Sequence, residues 1–532
     1  SSLFAWFFEW PLVAISHGHN PFYSSQMFHP MGINLLSNTS VTAWSFLLLP
    51  VTALFGPVAS LNVALICAPA LSGVATMWVA LRWVRSPVVA FLAGALYAFS
   101  PLVLFQEAGA HLMVTSLAVP PLVLACLDEL FWRRRHSPRT VGVVLGVLVV
   151  VQFFTGTEVL TMLAVATAGG LAVLGAFALV RDRDAAVAAV RHGLPGLAVA
   201  LGVAVVVLAW PAYYALDGPG HYVGLVWPGI APAQASIRSF LVAVPGTAQW
   251  WLPHHSYRFV RPTYLGPALV ATMLVGLVVL RRSARLRAAV ALTAVVALLA
   301  LGERYSFAPW HYLDHLPILR DVMNERFSAL LLLPAGLALA VVLDALAQSR
   351  RRALGVGAAV AVGVACCLPF ALDAADGLPY HASRVWEPTW YAARADALPA
   401  GSVVLGFPFF NTSADLLAVQ ALHSMHYAIV GGTGPEWIDA RQGAEAPGYE
   451  VLKDVASAKL DPTLGVAATP TQRAEVLDAL KGWGVTLVVL PTSPAPDTEG
   501  VGRSPAATEA WLRSVLGTPR VQDGAWVWSR SP

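Results

Sequence analysis

Acidic, imidazole, amide and guanidinium side chains are scarce in this chain and gather at a few places. Glu107 and His111 flank the turn in FQEAGAHL, and Glu158 follows in QFFTGTEVL. Glu303 and Arg304, then Arg320, Asn324, Glu325 and Arg326, bracket the stretch ERYSFAPWHYLDHLPILRDVMNE. His17, His19, Asn20, His29, Asn34 and Asn38 crowd one early segment, with Glu9 just before it. A carboxylate or imidazole beside a hydroxyl can act as a general base. Arginines suit bidentate phosphate contacts and stabilise charge developing on a leaving group. Histidines and amides bind hydroxyl groups. Each residue taken singly reads equally well as a helix cap, an ion-pair partner or an interfacial anchor; their convergence is the stronger signal. His254 and His255 are adjacent without a carboxylate partner and read as loop residues. The sequons at Asn38 and Asn411 read as accidental matches.

The elements that must position these groups are apolar. Hydrophobic residues make up 57% of the 532 residues, charged residues 12%, and mean hydropathy is +0.65. Soluble domains carry about 25% charged residues. The net charge of +3 gives no hint of a nucleic-acid partner. Cys67, Cys126, Cys366 and Cys367 sit inside apolar stretches without metal-ligand spacing. Spans are expected at 60–81, 86–106, 112–131, 140–155, 158–180, 194–213, 263–281, 287–302, 326–347 and 353–372, each near the length a bilayer needs. Arginines fall on alternate connections: Arg82 and Arg85; Arg133, Arg134, Arg135 and Arg139; Arg181, Arg183 and Arg191; Arg281, Arg282, Arg285 and Arg287; Arg350, Arg351 and Arg352. The positive-inside rule makes that side cytoplasmic. The clusters of the first paragraph then lie on the outer side.

The same walk places 1–59 outside, as a first outer loop. Residues 3–16 are aromatic-rich and broken by Pro11, and read as an interfacial helix; 41–55, broken by Pro50, reads as an interfacial or re-entrant hairpin. Long outer loops are expected at 214–262, carrying Trp227, Trp250, Trp251, His254, His255 and Tyr257, and at 303–325, carrying Trp310. Residues 60–372 form the bundle. Residues 373–532 form an outer α/β domain, with strands at 402–406, 427–430, 485–490 and 525–528 and helices at 414–423, 471–482 and 506–516. It carries no phosphate loop, nucleophile elbow or metal-ligand cluster.

The stretch WFFEWPLVAISHGHNPFYSSQMFHPMGINLLSN, with HGHNP at 17–21 and PMGINL at 30–35, resembles the first outer loop of the GT-C superfamily of integral-membrane glycosyltransferases. The resemblance is to uncharacterised multi-pass actinobacterial members. It continues through LYAFSP at 96–101, VPPL at 119–122 and QFFTGTE at 152–158. HSMHYAIVGG at 423–432 is similar to segments of these and of YfhO-like membrane proteins. The resemblance implies a GT-C-like polytopic helical bundle in a bacterial plasma membrane. It would transfer sugar from a polyprenyl-phosphate donor to a cell-envelope glycan or lipid acceptor, with a divalent metal ion as an optional cofactor. The family's base is an Asp in the first outer loop, yet no Asp precedes Asp128. That Asp, with one further span, is expected upstream of Ser1; Glu9 is the substitute within the chain. Expected ligand-binding groups are His17, His19, Asn20, His29, Asn34, Glu107, His111, Glu158, Arg304, Arg320, Asn324, Arg326, His423 and His426, lining one outward cavity roofed by the C-terminal domain. Rival readings are a lipid-linked glycan flippase, disfavoured by the near absence of mid-span charge, and a non-catalytic envelope assembly protein.

Overall fold

A computed structural model describes residues 2–37, 41–221, 234–242, 262–316, 319–377, 384–407, 409, 414–433, 436–456, 467–493 and 504–530. The aromatic cluster of the 214–262 loop and the two sequons lie outside these residues. The chain divides into two compact units: Ser1–Asn62 with Trp210–Gly229 and Ala382–Pro532, and Val63–Ala209 with Ile230–His381.

The second unit is helical. Among the described residues, seven helices are long and apolar enough to cross a membrane: Pro57–Leu81, Leu112–Arg133, Pro138–Thr155, Thr157–Arg181, Arg183–Asp217, Asn324–Ala347 and Arg352–Ala375. The pair Pro87–Ala98 and Pro101–Ala108, bent by 45°, makes an eighth if counted as one span. The protein is thus a multi-pass membrane protein. The expected spans at 263–281 and 287–302 correspond to helices Pro267–Val279 and Ala284–Ala300, of 13 and 17 residues. Local chemistry shortens the first and shifts the second toward its N-terminus. Gly266, at φ 80°, precedes Pro267; Ser283 caps the second helix by accepting from Leu286 N–H; and Gly302, at φ 60°, follows its end.

Packing separates the helices by role. Ser328–Ala347, with Pro334 inside it, is buried along most of its length and forms the axis. The surrounding helices are apolar all round and leave Ile66, Val180, Val206 and Val278 exposed, as lipid-facing helices do. Without a hydrophobic drive inside lipid, close contact needs small residues. A Cβ on Gly142 would lie 2.3 Å from the Gly196 carbonyl oxygen, so these two helices meet backbone to backbone.

The first unit holds a five-stranded sheet: β3 (Val403–Gly406), β4 (Ala428–Ile429), β5 (Leu487–Pro491), β6 (Arg520–Gln522) and β7 (Ala525–Ser529), in the order β4-β3-β5-β7-β6. The first three strands run parallel, and β7 is antiparallel to both β5 and β6. Asp523 and Gly524, at φ 46° and 76°, make the β6–β7 turn. Helices Pro470–Gly482 and Pro505–Leu516 bury Val476, Leu480, Trp511 and Leu512 in the core that also takes Val488 and Leu490. A second small sheet pairs β1 (Tyr23–Ser24) with β2 (Ile33–Asn34).

Ser2–Ser16 is one continuous helix through Pro11. Trp6, Phe7 and Phe8 are fully buried, and the helix packs on Ala414–Leu422 of the same unit. Its aromatics find protein partners where the sequence suggested lipid headgroups. The first outer segment and the C-terminal domain, expected as separate domains, therefore form one unit.

Candidate functional site

The bend at Ser100–Pro101 shapes the site in the helical unit. Ser100 is extended, as residues before proline are, and its side chain accepts from Val103 N–H, so a new helix starts there. That helix carries Gln106 and Glu107 into a turn that Ala110 closes in the left-handed region, at φ 55°. His111 N–H donates to the Gln106 carbonyl oxygen (2.9 Å), and His111 Nδ1 donates to Gln106 Oε1 (2.5 Å). The ring's other nitrogen, Nε2, is thereby its acceptor. Burial, then the nearby Arg326 guanidinium, pushes His111 down to about 3, so its ring is neutral. Glu107 Oε2 is buried with no hydrogen-bond partner among the described residues.

Glu158 sits in the first turn of Thr157–Arg181, where the helix dipole favours a carboxylate. It accepts from Met323 N–H (3.4 Å) and forms an ion pair with Arg326. Both side chains are 15% exposed. Arg326 belongs to the short turn Asn324–Phe327. Asn324 is buried against Gly302, and its Nδ2 has no partner among the described residues, while Thr115 hydrogen-bonds the Glu107 side chain. Native proteins leave few buried polar groups unpaired, and such groups suggest an absent water or ligand. Here one carboxylate oxygen of Glu107 and the Asn324 amide donor stand unpaired among the described residues. They suit a hydroxyl-bearing ligand. Arg304 and Arg320 are exposed and form no ion pair among the described residues.

The expected residues of the first unit are mostly engaged in holding structure. Glu9 is buried at 4% exposure; burial pushes it up to about 6, with a Ser424 hydrogen bond pulling the other way. Asn20 Nδ2 donates to the Tyr214 hydroxyl (2.9 Å), while its Oδ1 accepts from Phe22 N–H. Asn34 Nδ2 donates to the Tyr214 carbonyl oxygen (2.8 Å), and its Oδ1 accepts from Leu36 and Ser37 N–H. His29 Nδ1 contacts the Ser25 carbonyl oxygen (3.2 Å). His423 lies between Asp396 (2.7 Å) and Glu387 (2.9 Å), and His426 Nε2 contacts the Leu398 carbonyl oxygen (2.9 Å). His17 and His19 are exposed with stacked rings. Among the described residues, no group of three or more His, Cys, Asp or Glu side chains is arranged to hold a metal ion.

Sequence reasoning missed Gln106, Thr115 and Gln420. The Ser-Pro step inside an expected span signalled the break before Gln106. A lone Gln in the apolar helix ADLLAVQAL signalled Gln420.

Neither a protein-family model nor a curated protein matches the sequence. Among solved structures, the chain is similar to the arabinofuranosyltransferase AftD from Mycobacteria, at TM-score 0.53 and 16% identity over 99% of this chain and 41% of that one. The fold is GT-C-like. The GT-C-like chain is also similar to the Archaeoglobus fulgidus oligosaccharyltransferase in its apo form, at TM-score 0.49 and 12% identity, covering 95% of this chain and 68% of that one. A further similarity is to the oligosaccharyltransferase AglB from Archaeoglobus fulgidus in complex with an inhibitory peptide and a dolichol-phosphate, at TM-score 0.47 and 12% identity, covering 91% and 65%. This chain thus spans well under half the length of AftD.

Proposed function

We propose that this protein is a membrane glycosyltransferase that moves a sugar from a polyprenyl-phosphate donor to a cell-envelope glycan or lipid on the outer face. The observation that carries this reading is the unpartnered, buried Glu107 Oε2, in a turn shared with a neutral His111. Transfer from a phosphate donor needs a base for the acceptor hydroxyl and positive charge where the leaving phosphate develops its own. Glu107 serves as base. Thr115 and Asn324 hold acceptor or donor hydroxyls. Arg304 and Arg320, exposed and without an ion pair among the described residues, meet the phosphate, and Arg326 joins them only by giving up Glu158. Glu9 stays the second candidate base. The arginine-rich connections face the cytoplasm in this reading, so the α/β domain lies outside.

The test uses membranes carrying the full chain, supplied with polyprenyl-phosphate-linked pentoses and hexoses and a cell-envelope glycan extract. Glu107→Gln should abolish transfer while the protein stays folded and still binds polyprenyl phosphate. Full transfer by Glu107→Gln together with loss in Glu9→Gln would move the base to Glu9. Full transfer by both variants would remove the reading.

A further inference from the structure

We propose that the α/β domain is the template on which the first segment takes its shape, with Gln420 the positioning residue that fixes it. Residues 26–29 run along the outer edge of β4. Ile429 N–H donates to the Gln26 carbonyl oxygen (2.9 Å), His29 N–H to that of Ile429 (3.0 Å), and Phe28 N–H to that of Gly431 (3.2 Å). The opposite edge of β4 is paired with β3. The segment thus covers the free edge of β4 as an irregular turn with Phe28 at φ 53°, its backbone bonds and buried side chains fixing where it sits.

The register is set on both sides. Met27 and Phe28 are buried, and a Cβ on Gly432 would lie 2.3 Å from Met27 Cγ and 3.0 Å from Phe28 Cε2. Gln442 Nε2 donates to the Val430 carbonyl oxygen (3.3 Å). Gln420 is fully buried and uses its whole amide: Oε1 accepts from Trp6 Nε1 (2.7 Å), while Nε2 donates to the carbonyl oxygens of Gln26 (2.8 Å) and Tyr427 (2.6 Å). One side chain therefore ties the first helix, the first segment and the sheet edge together. The turn that follows it holds Ser424 and Met425 in the left-handed region, at φ 46° and 55°, and Ser424 bonds Glu9. Consecutive non-glycine residues there persist only when their surroundings over-determine them. The surroundings here are His423 between its two carboxylates and His426 on Leu398.

The functional side of this proposal, that the first segment carries ligand-binding groups, rests on the glycosyltransferase reading; the structural side does not. Hydrogen exchange on the full chain in lipid nanodiscs separates the two. Amides of Phe28, His29 and Ile429 should be protected in the unaltered protein. Gln420→Glu keeps the acceptor for Trp6 but sets a carboxylate against two carbonyl oxygens. It should speed exchange at Phe28, His29 and Ile429 at least tenfold, with Val488 to Leu490 unchanged. Gly432→Ala should do the same, and Met27→Ala added to it should restore protection. The restoring pair decides the matter if Gln420→Glu loosens the whole sheet. In a working transfer assay, Gln420→Glu should raise KM for the acceptor more than it lowers kcat, and Met27→Ala should rescue Gly432→Ala in the same parameter. Fast exchange at Phe28 and His29 in the unaltered protein, or protection unmoved by Gln420→Glu and Gly432→Ala, overturns the template. The exchange pattern as expected with no transfer on any donor leaves the template standing and removes the glycosyltransferase reading.

Discussion

The Glu158–Arg326 pair offers a sharp test, because its two candidate roles pull in opposite directions when Glu158 is changed. Both side chains are 15% exposed, and Glu158 also accepts from Met323 N–H. A charge pair near 4 Å gains about 4 kcal/mol at an effective dielectric constant near 20, before desolvation is subtracted. Removing one partner of a buried pair costs about 3–5 kcal/mol because the other charge is stranded. At this partial exposure, about 2 kcal/mol is the expected cost of Arg326→Met or Glu158→Gln alone. The double variant Glu158→Gln with Arg326→Met should recover most of it, since no charge is left unpaired. Thermal unfolding of the full chain in detergent, read as a double-mutant cycle, measures the coupling. Binding of polyprenyl phosphate to the same variants separates structure from ligand recognition. If Arg326 joins the phosphate contact by leaving Glu158, Glu158→Gln should bind roughly tenfold more tightly, about 1.4 kcal/mol, and Arg326→Met more weakly. Equal binding by all variants, with the stability coupling intact, would make Arg326 a structural residue and leave the phosphate to Arg304 and Arg320. Additive single costs with no recovery would refute the pairing itself.

Three other outcomes follow from the geometry. Glu9 is raised to about 6 from its ordinary 4.5, so the stability linked to its proton is complete below the unfolded value and is lost as pH rises through about 6. The loss is about 2 kcal/mol, and Glu9→Gln should remove that pH dependence from unfolding curves. Asn34→Ala strands the Tyr214 carbonyl oxygen and the Leu36 and Ser37 amides; about 2–4 kcal/mol should be lost, read as faster limited proteolysis of the first segment. A cysteine at Ala400 should react with a membrane-impermeant reagent on intact cells and one at His136 should not; the reverse pattern overturns the orientation.

Much of the fold was legible because lipid imposes one rule on every helix. The expected spans fall on helical segments, and the arginines expected in connections lie in the connections or at the ends of the helices that flank them, as Arg181 and Arg183 do on either side of Asp182. The errors fell where local chemistry competes with hydropathy. Pro101 turned one span into two helices, Gly266 trimmed a second, and the Ser283 cap started a third three residues early. In the α/β domain, short apolar runs and helical patterning located β3, β4, β5 and β7 and the helices Ala414–Leu422, Pro470–Gly482 and Pro505–Leu516, but not Glu436–Glu445 or Gly448–Ala456. The edge strand β6 escaped, although Asp523–Gly524 is a strong hairpin signal. The site was legible as a set of residue types but not as partnerships. Sequence placed Glu107, His111, Glu158, Asn324 and Arg326 on one side of the membrane. It could not show that Glu158 takes Arg326 while Glu107 keeps an unpaired oxygen.

That distinction changes which residues should do chemistry. A buried carboxylate held by a guanidinium is a poor base, because its lone pairs and its charge are already committed. One with an unpaired oxygen beside a neutral imidazole retains both an acceptor site and a reason to take a proton. By the same reasoning Arg326, the cation nearest the cluster, is the least available for phosphate, while the exposed Arg304 and Arg320 remain available. The first segment teaches the complementary lesson. Its concentration of His and Asn looked like a binding surface, yet Asn20 and Asn34 spend their amides on Tyr214 and on local turns. His17 and His19 are exposed and stacked, with His17 Nδ1 held by the Val13 carbonyl oxygen (2.9 Å). Polar residues in an apolar chain are thus of two kinds, those that shape the loops and those the loops present. Substituting His17 and His19 together should leave exchange protection at Phe28 and His29 intact while weakening acceptor use. Loss of protection in that variant would place even these histidines among the residues that hold the fold.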